Sequence, residues 1–371
     1  MKQFLQIRFL ILVVLFFTTR TVFAQAQNKI KVLSYYSGPV DSLDKYDVSQ
    51  MTHIIFCFGR LNGNQFGIRN ARDTTMIQKM VSLKSKNPDL KVLISLGGWG
   101  GCKTCSDVFA TKVGREEFTQ SIREIYEYFK VDGLDLDWEY PGISGFPGHK
   151  FDPADKKNFT KLVNELRKLG YEKELSFAAG ASQRYLDGAV EWKKVMKQVN
   201  YVNLMTYDMS GPGSKTAMHH TGLFSTPEQP RSADWMVNAL TEMGVPAEKI
   251  VIGGAFYGKV FDSVENINNG LGQAAKFKTT FQFKRMETMF PADSGWVYHW
   301  DEAASAPYLY NAEKKQFCTF DDKRSIAEKA RYAVDKNLYG IMYWQLGGDK
   351  YSDGLLNEID KVKRTYVSGS K

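Results

Sequence analysis

Three carboxylates alternate along one short apolar run of the sequence. The run DGLDLDWEYPG, from Asp132 to Gly142, contains Asp135, Asp137 and Glu139, separated by single large apolar residues. Successive side chains of a β-strand point to opposite faces, so a strand here places the three acids on one face and Leu, Leu and Trp on the other. Crowded acids repel one another and lose hydration, which suits them to proton transfer.

Two other interpretations of this run are a hard-cation site and a solvated acidic strand. A cation site uses clustered oxygen ligands, but no further acid cluster or Asn-rich loop follows the run. A solvated strand would not alternate its acids with residues as large as Leu and Trp. His219 and His220 also suggest metal ligands, but adjacent side chains of an extended chain point apart, so we interpret them as loop residues. We therefore expect no bound metal.

Eight short apolar runs recur along the chain, with helical patterns between them. The runs are 31–36, 53–58, 91–96, 133–137, 174–179, 201–206, 250–254 and 340–344. Between them, segments 114–130, 152–169 and 322–336 place apolar residues at helical spacing, and Asp152 before Pro153 predicts the N-cap of the second. Eight strands alternating with helices are what an α/β fold of the (β/α)8 TIM-barrel type requires.

One connection breaks this alternation. Between the seventh and eighth predicted strands lie roughly 60 residues, about 259–320, more than a barrel needs. They contain aromatic, strand-like patches such as FQFKRM and GWVYHW. We predict a small α+β insertion here, within a single catalytic barrel that covers residues 25–371.

The first 24 residues have the pattern of a secretory signal peptide. Lys2 and Arg8 precede an apolar stretch over 9–17, and Ala24 offers a small-residue cleavage site. We expect a secreted chain, extracellular or periplasmic, with no membrane span in its mature part; a retained membrane anchor is the alternative. The formal net charge of +8 is spread without a basic block, so no nucleic-acid partner is expected. We expect a monomer.

Four cysteines are too few to hold an exported chain of this length together. Cys102 and Cys105 lie in the Gly-rich loop GWGGCKTCSD, where a local disulfide is sterically feasible. Thioredoxin-like redox chemistry is the alternative, and it is disfavoured because the pair does not open a helix after a thioredoxin-type strand. Cys57, inside the apolar run HIIFCF, is interpreted as a small buried hydrophobe.

Functional residues of such a barrel gather at the carboxyl ends of its strands. The residues there are aromatic, acidic and amide side chains, with no phosphate loop or nucleophilic Ser-His pair. Flat rings stack on sugars while acids and amides bind hydroxyls, so this composition predicts a carbohydrate site. Phe58 and Tyr343 are explained equally well as barrel-core aromatics. The set comprises Tyr35, Tyr36, Phe58, Gly97, Gly98, Trp99, Asp135, Asp137, Glu139, Ser182, Gln183, Met205, Thr206, Tyr207, Asp208, Tyr257, Tyr343 and Trp344.

The same segments resemble a known family. DGLDLDWE fits the Asp-x-x-Asp-x-Asp-x-Glu signature of the chitinases of glycoside hydrolase family 18, and SLGG, ending at Gly98, is similar to the family's second signature. NLMTYDM and GIMYWQLGGD resemble further family segments. The resemblance implies a TIM barrel that hydrolyses chitin or other N-acetylglucosamine oligosaccharides without a metal or an organic cofactor.

Individual catalytic roles come from this resemblance alone. It implies that Glu139 is the general acid, that Asp137 orients the 2-acetamido group of the substrate, and that Asp135 sets the protonation of Asp137. Tyr207 would hold the acetamido oxygen, and Asp208 would help to distort the sugar ring.

The substrate-binding set also comes from the resemblance. Tyr35 would support the central acid, Trp344 would floor the subsite before the cleaved bond, and Trp99 would border the leaving-group side. Lys259 departs from the family pattern, in which arginine is frequent, and an ammonium cannot reproduce arginine's fork. The predicted substrate-binding residues are Tyr35, Phe58, Gly98, Trp99, Met205, Asp208, Tyr257 and Trp344.

The acids on this strand predict an unusual mechanism. A glycosidase of the usual kind needs a second carboxylate across the scissile bond, whereas the partners of Glu139 lie behind it on its own strand. Family 18 is a known substrate-assisted exception, in which the acetamido carbonyl attacks the anomeric carbon with retention. The alternatives are an endo-β-N-acetylglucosaminidase acting on N-glycan cores and a non-catalytic chitin-binding lectin. The insertion favours the chitinase because a walled groove suits a linear chain, and the presence of Glu139 argues against the lectin.

Overall fold

The computed structural model describes residues 30–368 of the chain. Its strands are β1 (Lys31–Tyr36), β2 (His53–Asn62), β3 (Gln65–Gly67), β4 (Lys91–Gly97), β5 (Gly133–Asp137), β6 (Glu174–Gly180), β7 (Tyr201–Met205), β8 (Ile250–Ala255), β9 (Tyr257–Asp262), β10 (Lys276–Gln282), β11 (Val297–Asp301), β12 (Ala306–Asn311), β13 (Gln316–Phe320) and β14 (Gly340–Trp344). The α-helices are α1 (Ala71–Ser82), α2 (Cys105–Ala110), α3 (Lys112–Phe129), α4 (Asp155–Arg167), α5 (Gln183–Gly188), α6 (Trp192–Val195), α7 (Ala233–Glu242), α8 (Met286–Met289), α9 (Lys323–Asp335) and α10 (Leu355–Ser368).

Eight parallel strands close into a barrel. Their order is β1, β14, β8, β7, β6, β5, β4 and β2, and β2 pairs back onto β1. The predicted (β/α)8 fold is therefore confirmed, and the predicted strand bounds agree to within one residue except in β2. That strand continues to Asn62 and turns through Gly63 into an antiparallel pairing with β3. The left-handed φ of 58° at Gly63 is readily adopted by glycine in such a tight turn.

The prediction of Asp152 as a helix N-cap is wrong. The helix α4 begins at Asp155, and Ala154 occupies the cap position. Asp152 belongs to a preceding turn, in which its Oδ1 accepts a hydrogen bond of 2.8 Å from the amide of Ala154. Because this turn uses the side chain locally, the helix starts later than the Asp-Pro pair predicts.

Two apolar layers surround the barrel sheet. The outer layer lies between strands and helices and includes Leu134, Leu136 and Trp138. The inner layer fills the barrel with residues that include Leu33, Tyr35, Ile55, Cys57, Leu93, Tyr201, Val251 and Met342. Burial inside this inner layer agrees with the interpretation of Cys57 as a small hydrophobe. The alternation along β5 therefore sends its leucines outward and its acids inward, as the sequence pattern predicts.

An antiparallel five-stranded sheet interrupts the barrel between β8 and β14. Its order is β10, β9, β13, β12, β11, and the short helix α8 follows β10. Both faces of this sheet carry apolar clusters, one around Phe261 and Phe317 and the other around Val260 and Cys318. The sheet rises beside the carboxyl ends of the barrel strands, because β9 begins at Tyr257 directly after β8 ends.

A buried ion pair joins this sheet to the barrel. The Nζ atom of Lys329 on α9 lies 2.6 Å from Oδ2 of Asp321, and neither side chain is more than 1% exposed. Oδ2 of Asp321 also accepts hydrogen bonds from the amide of Ala255 and the hydroxyl of Thr221. The carboxylate thus ties together the end of β8, the end of β13 and a loop of the barrel.

Within residues 30–368, no helix is both long enough and apolar enough to cross a bilayer. The predicted signal peptide, residues 1–24, lies outside the described residues.

Candidate active site

Asp135 lies at the centre of a saturated hydrogen-bond network inside the barrel. It is fully buried. Oδ2 accepts hydrogen bonds from Ser95 at 2.8 Å and Tyr35 at 3.0 Å. Oδ1 accepts from Ser176 at 2.7 Å and Asn203 at 3.2 Å. Burial raises the pKa of Asp135, and these four donors partly offset that rise because they stabilise its ionised form. With both oxygens occupied, Asp135 acts on its surroundings by charge.

Asp137 and Glu139 are also buried but lie at the cavity side of Asp135. Oδ1 of Asp137 is buried without a hydrogen-bond partner among the described residues. Burial, followed by the charges of Glu139 and Asp135, raises the pKa of Asp137 well above its ordinary value. Burial likewise raises the pKa of Glu139 to about 7, with a smaller contribution from Asp208. The end of β5 and the residues after it therefore present two neighbouring carboxyl groups whose pKa values both lie above their ordinary ones.

A cavity of about 1020 Å³ opens above these acids. Asp137 and Glu139 lie on its wall together with Asp208, and its floor contains a pair of stacked rings. Phe58 and Trp344 stack with their centroids 5.5 Å apart and their planes at 16°. An apolar floor beside carboxyl groups suits a sugar bound face down, with its polar edge turned towards the acids.

The opposite wall is built around Asp208. Tyr257 donates a hydrogen bond of 2.5 Å to its Oδ1, and Nζ of Lys259 lies 2.6 Å from the same oxygen. Lys259 is 4% exposed and also donates to the carbonyl of Ser210. The lysine that replaces the family's frequent arginine is therefore a buried partner of Asp208. Because Lys259 and Tyr257 belong to β9, the insertion contributes this side of the cavity.

Tyr207 lies on the cavity wall, and its hydroxyl donates a long hydrogen bond of 3.9 Å to Sδ of Met342. Burial raises the pKa of Tyr207 well above its ordinary value, and the charges of Asp137 and Asp208 raise it further. The hydroxyl therefore keeps its proton and can donate a hydrogen bond.

The structure brings most of the predicted site residues to this one cavity. Eight of the eighteen are not on its wall. Asp135 is beneath the cavity, Tyr343 is fully buried against Phe256, and Gly98 lies under the ring of Phe58. The other five are Tyr36, Gly97, Ser182, Gln183 and Thr206. A Cβ atom on Gly98 would stand 2.4 Å from Phe58, and its φ is +74°, so glycine is needed for this close approach. The predicted residues on the wall are Tyr35, Phe58, Trp99, Asp137, Glu139, Met205, Tyr207, Asp208, Tyr257 and Trp344.

Several wall residues were absent from the sequence prediction. Some come from the insertion, and others follow β5, β7 or β14 along the chain. They include Tyr140, Arg231, Thr280, Gln282, Arg285 and Gln345. The alternation in β10 indicates that Thr280 and Gln282 share one face of the strand, because residues two apart point to the same side. No local pattern indicates which face of β10 meets the barrel.

The Cys-x-x-Cys loop follows Trp99, which lies on the cavity wall. Cys102 and Cys105 are joined by a disulfide and are both buried. One premise of the sequence argument is wrong, because Cys105 does begin the helix α2. Burial of both sulfur atoms nevertheless sets this bridge apart from an exposed redox pair.

The two adjacent histidines lie in a loop and have separate environments. His219 is 3.0 Å from Asp301, whereas the ring of His220 packs against Tyr257 with centroids 5.1 Å apart. Both rings are buried. Their divergence agrees with the interpretation of this pair as loop residues.

Comparison with known proteins identifies the family. The model for the glycosyl hydrolases family 18 matches residues 21–349. Chitinase A1 of Niallia circulans is 35% identical over 301 residues, which are 74% of this chain and 43% of that protein.

Two solved structures share the fold. The multi-modular cell-surface chitinase ChiW of Paenibacillus sp. str. FPU-7 has a TM-score of 0.85 and 34% identity, covering 90% of this chain and 42% of that one. A family 18 N-acetylglucosaminidase from Paenibacillus barengoltzii has a TM-score of 0.82 and 32% identity, covering 90% of this chain and 99% of that one. The chain thus spans less than half the length of Chitinase A1 and less than half the length of ChiW. It belongs to family 18 of the glycosyl hydrolases.

Proposed function

We propose that this protein is a secreted chitinase, which hydrolyses β-1,4 links between N-acetylglucosamine units with retention and with help from the substrate. The observation that supports the proposal most directly is the position of Asp137 and Glu139. Both are buried at the base of an aromatic-floored cavity, and Oδ1 of Asp137 has no hydrogen-bond partner among the described residues. An acceptor left unpaired in this position suits a ligand N–H group.

In the proposed first step, Glu139 donates its proton to the glycosidic oxygen as the bond to the leaving sugar breaks. The carbonyl oxygen of the substrate's 2-acetamido group bonds to the anomeric carbon and forms an oxazolinium ion. Asp137 accepts a hydrogen bond from the acetamido N–H and balances its positive charge, while Tyr207 donates to the acetamido oxygen. Water then opens the ring and returns a proton to Glu139.

The carboxylates on the cavity wall favour this route over a two-carboxylate scheme. Among the described residues they are Asp137, Glu139 and Asp208. Asp137 shares the strand region of Glu139, and Asp208 is already bound to Tyr257 and Lys259. A direct displacement needs a free carboxylate across the bond, about 5 to 5.5 Å from the acid. We assign Asp208 to holding the distorted sugar ring and Asp135 to setting the proton of Asp137.

The remaining parts of the proposal concern organisation and location. The signal-peptide pattern of residues 1–24 supports export, and the Cys102–Cys105 disulfide fits an oxidising compartment. We propose that the mature chain is one catalytic barrel carrying the insertion, about residues 259–320. Because one chain supplies the whole wall described above, a monomer suffices.

The experiment is digestion of chitin hexamer, glucose hexamer and a high-mannose glycoprotein by the purified full-length protein and by Glu139→Gln, with products followed by mass spectrometry. We expect short N-acetylglucosamine oligomers from the chitin hexamer alone. Glu139→Gln should bind the hexamer but hydrolyse it at least about a hundredfold more slowly, as expected for loss of a general acid. Cleavage of glucose hexamer would overturn the substrate-assisted step, and cleavage of only the glycoprotein would move the function to N-glycan release.

A further inference from the structure

A disulfide packs against the backbone that carries the acids of β5. Gly97, the last residue of β4, is the register partner of Asp137. A Cβ atom added to Gly97 would stand 2.2 Å from the carbonyl oxygen of Asp137 and 3.0 Å from Sγ of Cys102. The sulfur and the carbonyl therefore meet on the same side of Gly97. The bridge from Cys102 to Cys105 thus lies beside the peptide that leads from Asp137 towards Glu139.

The turn that follows β4 is held closely to Asp137. The amide of Gly98 donates a hydrogen bond of 2.9 Å to the carbonyl of Asp137, which continues the pairing of β4 with β5. The amide of Gly101 donates 2.7 Å back to the carbonyl of Gly98, so the chain reaches Cys102 through one tight turn. This turn links the position of Cys102 to that of Asp137.

The other half of the bridge begins α2, which packs against the next residue of the acid run. Phe109 on α2 contacts Trp138, with ring centroids 5.5 Å apart. Trp138 is buried and separates Asp137 from Glu139 in the sequence. The bridge therefore joins two supports of the same short segment, because the turn over 97–101 contacts Asp137 and α2 contacts Trp138. A covalent link between the two supports limits how far either can move from the acids.

We propose that the Cys102–Cys105 disulfide positions Asp137 and Glu139, and that the site becomes fully active only once this pair is oxidised. The proposal rests on the proposed function, in which both acids act on the substrate. A shift of about 1 Å in a positioned group can slow a reaction about a hundredfold, so a constraint on the backbone of these acids bears directly on the rate. The two cysteines act as positioning residues, since neither lies on the cavity wall.

The oxidising step is a thiol–disulfide exchange. The two cysteine thiols lose two protons and two electrons, the S–S bond forms, and a disulfide-bearing oxidant is reduced to two thiols. In the reduced chain the turn and α2 are no longer linked, although the barrel strands keep their pairing. Hydrolysis therefore reaches its full rate only after the chain enters an oxidising compartment.

The test measures kcat and KM on the 4-methylumbelliferyl glycoside of N,N′-diacetylchitobiose, at a temperature well below the unfolding midpoint of every sample. The samples are oxidised wild type, wild type purified with its thiols reduced, and Cys102→Ala/Cys105→Ala. We expect kcat to be about tenfold lower in the last two, with KM changed less than about threefold. Oxidised glutathione should restore the kcat of the reduced wild type and leave that of the double variant unchanged.

Ser106→Ala is the matched control. Ser106 is buried on the same helix, and its hydroxyl donates 3.1 Å to Oδ1 of Asp155 on α4. The variant should lower Tm but keep kcat within about twofold of the wild type, because it leaves the bridge intact. Equal kcat values for oxidised and reduced wild type would overturn the proposal, and so would a loss in Ser106→Ala as large as that of the double variant.

A second variant tests the same support without removing the bridge. Phe109→Leu weakens the contact of α2 with Trp138, so kcat should fall at least about threefold, and an unchanged kcat would overturn the role of α2. If oxidised wild type hydrolyses neither the glycoside nor chitin hexamer, the proposed function fails, and hydrogen exchange then tests the positioning role. The amides of 133–139 should exchange faster in the reduced protein than in the oxidised one, and equal exchange would overturn that role.

Discussion

The hydroxyl of Tyr35 on β1 donates a hydrogen bond of 3.0 Å to Oδ2 of Asp135 on β5, across the interior of the barrel. The same hydroxyl accepts 2.9 Å from Nδ2 of Asn203. This triangle holds the carboxylate of Asp135 in place below Asp137, and the charge of Asp135 contributes to the raised pKa of Asp137.

Tyr35→Phe should therefore lower kcat without a comparable change in KM. Loss of the hydroxyl removes one donor that stabilises ionised Asp135, so the pKa of Asp135 rises further. We expect about a tenfold decrease in kcat and less than about a twofold change in KM. Tyr36→Phe is the matched control, because the hydroxyl of Tyr36 binds the carbonyl of Pro39 outside the barrel interior. A similar kcat for both variants would contradict the network's role.

The pH dependence of activity should report the pKa of Glu139. The general acid must be protonated, and burial raises the pKa of Glu139 to about 7. We expect kcat/KM to fall as pH rises through about 7, measured on the 4-methylumbelliferyl substrate across pH 5–9. An alkaline limb below about pH 5.5 would show that another group provides the proton.

Glu139→Gln should be more stable than the wild type at alkaline pH. The folded pKa of Glu139 exceeds its ordinary value, so its favourable contribution is fully present below about 4.5 and is lost as pH rises through about 7. Above that pH the wild type buries an ionised carboxylate that the variant lacks. We expect a Tm difference near zero at pH 4.5 and about 2 to 5 °C at pH 8, by scanning calorimetry. A difference independent of pH would contradict this.

Lys259→Met should reduce activity and stability together. The buried ammonium holds both Asp208 and the carbonyl of Ser210, and methionine removes both contacts, which leaves Asp208 with the hydroxyl of Tyr257 but without a cation. We expect kcat/KM to fall at least about tenfold, and Lys259→Arg to keep more activity because it keeps the charge. Lys278→Met on the same sheet is the control, since its pair with Asp262 is largely exposed. Unchanged kinetics in Lys259→Met would mean that Asp208 needs no cation.

Lys329→Met should cost about 3 to 5 kcal/mol of unfolding free energy, because it leaves the buried carboxylate of Asp321 with its hydrogen bonds but without its cation. Urea titration followed by circular dichroism measures the loss. Lys323→Met removes an exposed ion pair at the start of the same helix and should change stability little. A loss no larger than that of the control would contradict the importance of burial.

The barrel was predictable from sequence because its signal is local and repeated. Each buried strand is a short apolar run, and β1, β5 and β14 begin and end at the predicted residues. The acids of β5 were predictable for the same reason, because a period of two fixes which face each residue joins. The extension of β2 beyond Phe58 was missed, although Asn62-Gly63 is a hairpin-turn pair that indicates it.

The far wall of the cavity was not predictable in the same way. Lys259 meets Asp208 across 51 positions of sequence, a contact set by how the insertion docks onto the barrel. Arg285 reaches the wall only because β10 pairs with β9 in one register. Such contacts follow from tertiary packing and cannot be predicted from a short local stretch of sequence.

The insertion leaves the barrel and returns to it at adjacent points. Gly258 near the start of β9 and Phe320 at the end of β13 are register partners in one sheet. A short turn could therefore replace everything between them without moving the strands on either side. The wall of the cavity is therefore structurally separable from the barrel. The insertion can be lengthened, shortened or replaced, and the shape of the cavity altered, without a change in the acids of β5.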